Sequence, residues 1–515
     1  MTVRLPALPA PGLPPASRRA LVLVVPLAVL VGVLAAVGPM GALAAGALLT
    51  VGALAVVGRG IVLLFLVSLG VLLIGYAFLG RGLAHVGVGP AYIGEMVLVL
   101  SIPAVFVALP RARFSALHGL LFLFMLWGAV CTIPYISTYG IDALRDAATW
   151  GYGFFAIAVS ITVGRELVPA IVRVYRRIAF PIVLWVPVAA VLTIVFGNSL
   201  PTAPGSDVPI IFFKAGDAGV HLAGIASFVL LGLYGWHGAR STIDEIRLWI
   251  FWLFAFAVSA AINRGGMVAA SMAALSGLFV RRLSRWLVPF AVALTLFASA
   301  WLVNPQVDLG IERSISFDQI VQNVTSIFSS QGATQTEATK EWRLAWWGTI
   351  VDYTFDGPYF WTGKGYGINL ATSDGFSGAG SDLRAPHSTT FEVLARSGVP
   401  GLILWLSLQG AFAVAMLRAA GRARRRGDAL LVALLGWVFV YWAAALVNSS
   451  FDVYIGGPQG GIWFWSLFGF GLFLMRLSRE DEPVTIDATE EAPAPAAPVT
   501  GRGSGRPRRP APEPA

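Results

Sequence analysis

Cysteine is almost absent from this sequence. Cys131 is the only one in 515 residues and lies inside an apolar run, which excludes an internal disulfide framework or a thiolate metal site within one chain. Charge is scarce too: 12% of residues are charged against 57% hydrophobic, far from the averages of a soluble domain. Lysine occurs only at Lys214, Lys340 and Lys364, while arginine, alanine, glycine and valine are abundant, as in a GC-rich bacterial genome. No Walker spacing accompanies the glycines, and no His/Asp/Glu cluster has metal-ligand spacing. The dyad alternation of a membrane barrel is missing as well. That leaves helices to satisfy the backbone within lipid.

What the chain does have is apolar segments of membrane length. They fall near 20–37, 41–57, 61–80, 92–109, 116–134, 147–163, 178–197, 219–236, 248–262, 265–281, 287–303, 399–417, 429–447 and 460–476. The expected fold is an all-α polytopic membrane protein of about 12–14 transmembrane helices. The net charge of +9 does not point to nucleic acid, because the arginines stand in clusters between apolar runs and not on one amphipathic face. With the N-terminus inside, the clusters at 18–19, 111–113, 165–177, 281–285, 418–426 and 476–479 all fall on the cytoplasmic side. Arg81 dissents. The division that follows is a cytoplasmic segment 1–19 leading to a retained anchor, transmembrane helices over 20–303, an outward loop 304–398, further helices over 399–477, and a disordered cytoplasmic tail 478–515 with too little apolar surface to fold.

The outward loop is where chemistry is expected. A helix over 341–355 carries Arg343 among tryptophans, suited to the headgroup level, and is ended by Pro358. The glycines at 363, 365 and 367 demand a turn whose backbone N–H groups, with Lys364 and Tyr366, are candidates for holding a phosphate; a purely structural turn is the alternative. Thr389-x-x-Glu392 reads as a capping box and Gly398 before Pro400 as a stop. His387 therefore precedes a helix N-terminus, whose partial positive charge, with nearby Arg384, favours a neutral imidazole able to accept a proton. An exposed loop histidine is the bland alternative. Arg264 lies in a tight outward hairpin, where a guanidinium suits phosphate oxygens or simply snorkels. Arg343 suits phosphate or a ring stack. Arg145, beside Asp142 and Asp146, is either a site wall or a surface ion pair, and Asn448 and Asp452 stay undecided. The remaining histidines suit packing.

These features together resemble the O-antigen ligase and polymerase superfamily of bacterial membrane proteins: Asn263-Arg264-Gly265, the Arg343 to Trp347 helix, the Gly363 to Gly367 turn, and His387-Ser388 leading to Glu392 and Gly401. The resemblance implies a type C-like membrane glycosyltransferase of the plasma membrane, with both termini cytoplasmic and with neither metal nor cofactor. Its implied substrates are an undecaprenyl-diphosphate-linked glycan and a glycan or cell-wall acceptor. It also implies that Arg264 and Arg343 engage the diphosphate and that His387 is the base. Lys364, Tyr366, Arg145 and Arg384 are the expected substrate-binding residues. Ser388 departs from the asparagine that often follows the histidine. The competing readings are a flippase or exporter that forms no bond, and a structural membrane subunit.

Overall fold

A computed structural model describes residues 39–480, apart from 89–90, 205, 237–241, 281–282, 304–306, 309–313, 316–320, 322–333 and 378–382. The major helices are α1 (Pro39–Leu79), α2 (Ile93–Ala108), α3 (Ala116–Val130), α4 (Gly153–Thr162), α5 (Val168–Phe196), α6 (Ala215–Leu230) and α7 (Thr242–Ile262). They continue with α8 (Arg264–Ser271), α9 (Leu287–Val303), α10 (Thr334–Val351), α11 (Thr389–Arg425), α12 (Ala429–Ser449) and α13 (Pro458–Leu477). Nine helices among the described residues are long and apolar enough to cross a bilayer, and two shorter apolar helices accompany them. Among the described residues the β-strands form two small antiparallel ladders, Gly87–Val88 with Ala91–Tyr92 and Val307–Asp308 with Ser314–Ile315. The chain is an all-α multi-pass membrane protein.

Several boundaries differ from the sequence reading. The expected segment at 20–37 lies outside the described residues, as do nearly all of the tail and the whole of 1–19. Segments 41–57 and 61–80 keep their expected boundary, since the two helices that make up α1 meet at a kink at Gly58, whose backbone is non-helical. The segment at 147–163 is broken, with a short helix Ala148–Gly151 before α4. The segment at 265–281 is α8 followed by a tighter 3-10 stretch, Met272–Leu278. Helices α12 and α13 form the centre, 89% and 94% buried over their apolar windows, because α3 to α6, α8 and α11 wrap them. Helix α9 is peripheral and exposed.

The arginine clusters gather at one end of the bundle. Arg165 Nη2 is 3.0 Å from Glu480 Oε2, Arg422 bonds Ser478 Oγ at 2.9 Å, and Arg424 bonds the Leu278 carbonyl at 3.1 Å. His387 and Asp452 lie at the opposite end, since α11 and α13 both begin there and end among the arginines.

The described part of the stretch 304–398 has its own small core, with Trp346, Ile350, Leu370, Leu394 and Ala395 buried against one another. The stop expected at Gly398 is present: with φ 66° and ψ −169° its backbone is non-helical, and α11 is two helices that meet at this kink before the second runs to Arg425. The reason is a backbone crossing. A Cβ at Gly398 would sit 2.4 Å from the Phe360 carbonyl oxygen, and Val399 N–H donates to that same oxygen at 2.8 Å. The loop thus hangs on the bend of the helix. Its other tie is Arg396, fully buried, with Nη2 3.0 Å from Asp146 Oδ2 and Nε 3.2 Å from Glu392 Oε1. Glu392 serves Arg396 in place of the expected capping box, and Ser388 is the N-cap without a side-chain bond.

Gly398→Ala should destabilise the protein by about 1–3 kcal/mol through the positive φ and the carbonyl clash. Thermal unfolding measures this, and limited proteolysis should show earlier cleavage between residues 334 and 377.

Candidate functional site

The site begins with a close crossing of two helices. Gly219 of α6 faces Gly266 of α8 so closely that a Cβ on Gly219 would meet the Gly266 carbonyl oxygen at 2.2 Å. Only glycine permits this. The Asn263 side chain caps α8 by accepting from Gly266 N–H at 3.0 Å, which fixes the turn carrying Arg264. That turn therefore lies next to the N-terminal end of α6, where Lys214 and Asp217 stand. It also borders the loop after α12: a Cβ on Gly265 would be 3.7 Å from Asn448 Oδ1 and 3.8 Å from Phe451 Cβ.

The loop after α12 is the meeting point. Asp452 is only 9% exposed at its side chain, and three groups converge on its carboxylate. Lys214 Nζ forms a short ion pair with it, Arg81 Nη2 is 3.8 Å away, and His387 Nδ1 is 3.7 Å away. Arg81 also reaches the buried Asp217 at 3.6 Å and the Val453 carbonyl at 3.4 Å. Burial alone would raise the Asp452 carboxyl, but His387, Lys214 and Arg81 outweigh it and hold it well below the usual carboxylate range. Burial and Arg81 pull the Lys214 ammonium down from its ordinary value, and the two carboxylates partly restore it.

Arg343 arrives from the other side, with Nη1 donating to the Phe451 carbonyl at 3.1 Å. Burial lowers its guanidinium from the ordinary value, and the Asp452 charge opposes that. Its Nε is buried without a hydrogen-bond partner among the described residues. The tryptophans around it make specific contacts. They turn inward and hold His387: Trp347 Nε1 donates to the Pro386 carbonyl at 2.8 Å, Trp347 stacks on Phe391 at 4.6 Å, and Trp342 meets the His387 ring edge-on at 6.4 Å. Trp361 and Phe355 remain exposed nearby. His387 itself has φ 54°, the one non-glycine residue with positive φ among those described. A histidine there stores strain of about 1–3 kcal/mol, and such strain is concentrated at functional sites.

The residues expected to bind substrate divide differently. Arg145 and Arg384 gather around Asp142 and Asp146: Arg384 Nη2 is 3.1 Å from Asp146 and Arg145 Nη2 is 3.1 Å from Asp142, with Arg145 54% exposed. Lys364 is engaged by Asp374 at 2.5 Å and Ser373 at 2.8 Å, with its ammonium 4.4 Å from the Tyr353 ring centre. Tyr366 is fully buried, its hydroxyl 2.8 Å from Ser397 Oγ. The turn's N–H groups also point into protein, Lys364 N–H to the Ala395 carbonyl at 2.7 Å and Gly367 N–H to Asp146 Oδ2 at 3.2 Å. The structure brings Arg343 and His387 together on the 451–452 loop and leaves Lys364, Tyr366, Arg145 and Arg384 in contacts that tie the loop down.

Sequence reasoning missed Arg81, Lys214 and Asp217. One signal was present: Arg81 alone broke the pattern of arginine placement, and its carboxylate partners explain why it sits at this end. Of the other histidines, His118 contacts Ser115 and Ser160, His221 contacts Tyr441 at 2.5 Å, and His85 the Arg81 carbonyl at 2.9 Å, all packing roles. His237 lies outside the described residues.

Residues 249–406, from α7 through the bend of α11, match the family model described as O-Antigen ligase. The match covers about a third of the chain, and that segment is similar to O-antigen ligases. No curated protein matches the chain. The O-antigen ligase segment contains Arg264, Arg343 and His387, while Asp452, Lys214 and Arg81 reach the site from outside it. The likeness supports an O-antigen ligase-type function at a lipid bilayer in general terms.

Asp452→Asn leaves Lys214 and Arg81 facing a neutral amide and should cost about 3 kcal/mol. Because the folded-state carboxyl titrates below its unfolded value, its stabilisation is present above the ordinary carboxylate range and lost as pH falls through the lowered value. The difference between variant and wild type should therefore hold from neutral pH down to about pH 5 and shrink only in stronger acid. Thermal unfolding of the purified protein across that range checks both statements.

Proposed function

We propose that this protein transfers a glycan from an undecaprenyl-diphosphate carrier to an acceptor hydroxyl at the outer face of the plasma membrane, as a surface polysaccharide polymerase or ligase, with both termini cytoplasmic. One observation carries the reading. A strained histidine, a carboxylate behind it, and the segments bearing two arginines all meet at the loop 448–452, beside the ends of apolar helices.

The chemistry follows from that arrangement. Asp452 faces Nδ1 of His387 and favours the tautomer with its proton there, which leaves Nε2 to accept a proton. The acceptor hydroxyl gives that proton to Nε2 as its oxygen attacks the anomeric carbon. The new carbon–oxygen bond forms opposite the breaking bond to the diphosphate, so the anomeric configuration inverts. Negative charge builds on the departing diphosphate, where guanidinium groups serve as forked donors, and Arg343 and Arg264 are assigned that role. Lys214 and Arg81 hold Asp452 ionised, so His387 keeps its orientation. Lys364, Tyr366, Arg145 and Arg384 act at one remove, by fixing the loop that carries His387.

Purified protein given a lipid-diphosphate glycan and an acceptor should form a new glycosidic bond. An exporter would form none, and that outcome sinks the reading. His387→Gly should fold at least as stably as wild type, because glycine accepts φ 54°, and should lose transfer by about 100-fold or more. Arg264→Glu should lower the rate more than Arg264→Lys, which keeps charge without the fork. Equal rates for the two would remove Arg264 from phosphate contact.

A further inference from the structure

A cavity of about 670 Å³ lies at the end of the bundle opposite His387. Pro458 and Arg476 are close to the two ends of α13, about 27 Å apart along the helix, so this cavity and the site above are separate places. Its rim is cationic: Arg111 and Arg113 follow α2, and Arg476 closes α13. Arg111 and Arg113 are exposed and have no ion-pair partner among the described residues. Arg113 lies near enough to Arg476 to oppose its charge, and Arg476 Nε is buried with no hydrogen-bond partner among the described residues, its nearest carboxylate, Glu480, standing 4.0 Å away. Glu480 is already engaged by Arg165 at 3.0 Å. Glu166 is the other acid on the rim, so positive charge is in surplus.

The deeper walls are apolar. Val62 and Leu66 of α1, Val107 of α2 and Ile161 of α4 line the space inward from the arginines. Leu63 also lines it and is 58% exposed, so the cavity opens sideways onto the surface that faces hydrocarbon. A pocket that is guanidinium-ringed at the bundle end, apolar one or two turns deeper and open to the side has the polarity profile of a phospholipid: an anionic headgroup above, acyl chains below. The geometry points to a binding site for an anionic glycerophospholipid, its phosphate held by Arg111, Arg113 and Arg476 and its chains against α1 and α2. This inference does not rest on the glycan-transfer reading.

The full chain in phosphatidylcholine nanodiscs, with and without phosphatidylglycerol, provides the test. Phosphatidylglycerol should raise the wild-type melting temperature, since a ligand that binds only the folded state stabilises it. The double variant Arg111→Ala/Arg113→Ala should lose that rise, Arg113→Gln alone should reduce it, and Arg111→Lys/Arg113→Lys should recover part of it. Arg418→Ala/Arg425→Ala, two exposed arginines toward the same end on α11, should keep it. Equal loss in this control pair means a diffuse surface effect and overturns the site. So does an undiminished rise in the Arg111/Arg113 double variant. Inorganic phosphate added to protein in neutral detergent should give no rise; a rise there identifies a free-phosphate site and overturns the lipid assignment.

Discussion

The carboxylate of Asp452, buried between Lys214, Arg81 and His387, is the interaction on which the His387 end of this protein depends. A charge that deep is unfavourable unless cations surround it, and those cations come from parts of the chain far apart in sequence. Arg81 follows α1, Lys214 precedes α6, His387 precedes α11, and Asp452 lies between α12 and α13. Satisfying one carboxylate therefore draws four helix ends together. Each partner is held by what it neutralises, and the proposed base is oriented by the same charge.

A second ionic centre does a different job. Asp146 takes Arg384 at 3.1 Å, Arg396 at 3.0 Å and the Gly367 N–H at 3.2 Å. These contacts, with the Gly398 bend and the inward tryptophans, make a rigid base for His387, whose strained backbone needs a surrounding that over-determines it. Charge at Asp146 fixes the scaffold, and charge at Asp452 faces the proposed chemistry. The division explains why residues that look alike in sequence, Arg343 and Arg384 for example, end in different roles.

The resemblance to O-antigen ligases rests on a segment that ends at residue 406, before Asp452. The proposed reaction centre is larger than that segment. Arg81 and Lys214 enter it from the N-terminal helices, so those helices contribute side chains as well as anchorage.

The sequence by itself determined the all-α membrane architecture, because apolar runs of that length have no other way to satisfy their backbone groups in lipid. It also located the turn at Gly363 to Gly367 and His387 ahead of a helix, since glycine density and helix-start signals are local. It singled out Arg81 as out of pattern without saying why. Tertiary structure alone decided that Arg81, Lys214 and Asp452 share one charge cluster, that the tryptophans of α10 face inward, and that the helix break at Gly398 is where the Phe360 backbone crosses. The physical reason is range. Hydropathy and turn preference act over a few residues, whereas the pairing of a buried charge and the meeting of two backbones are settled only once distant helices are packed.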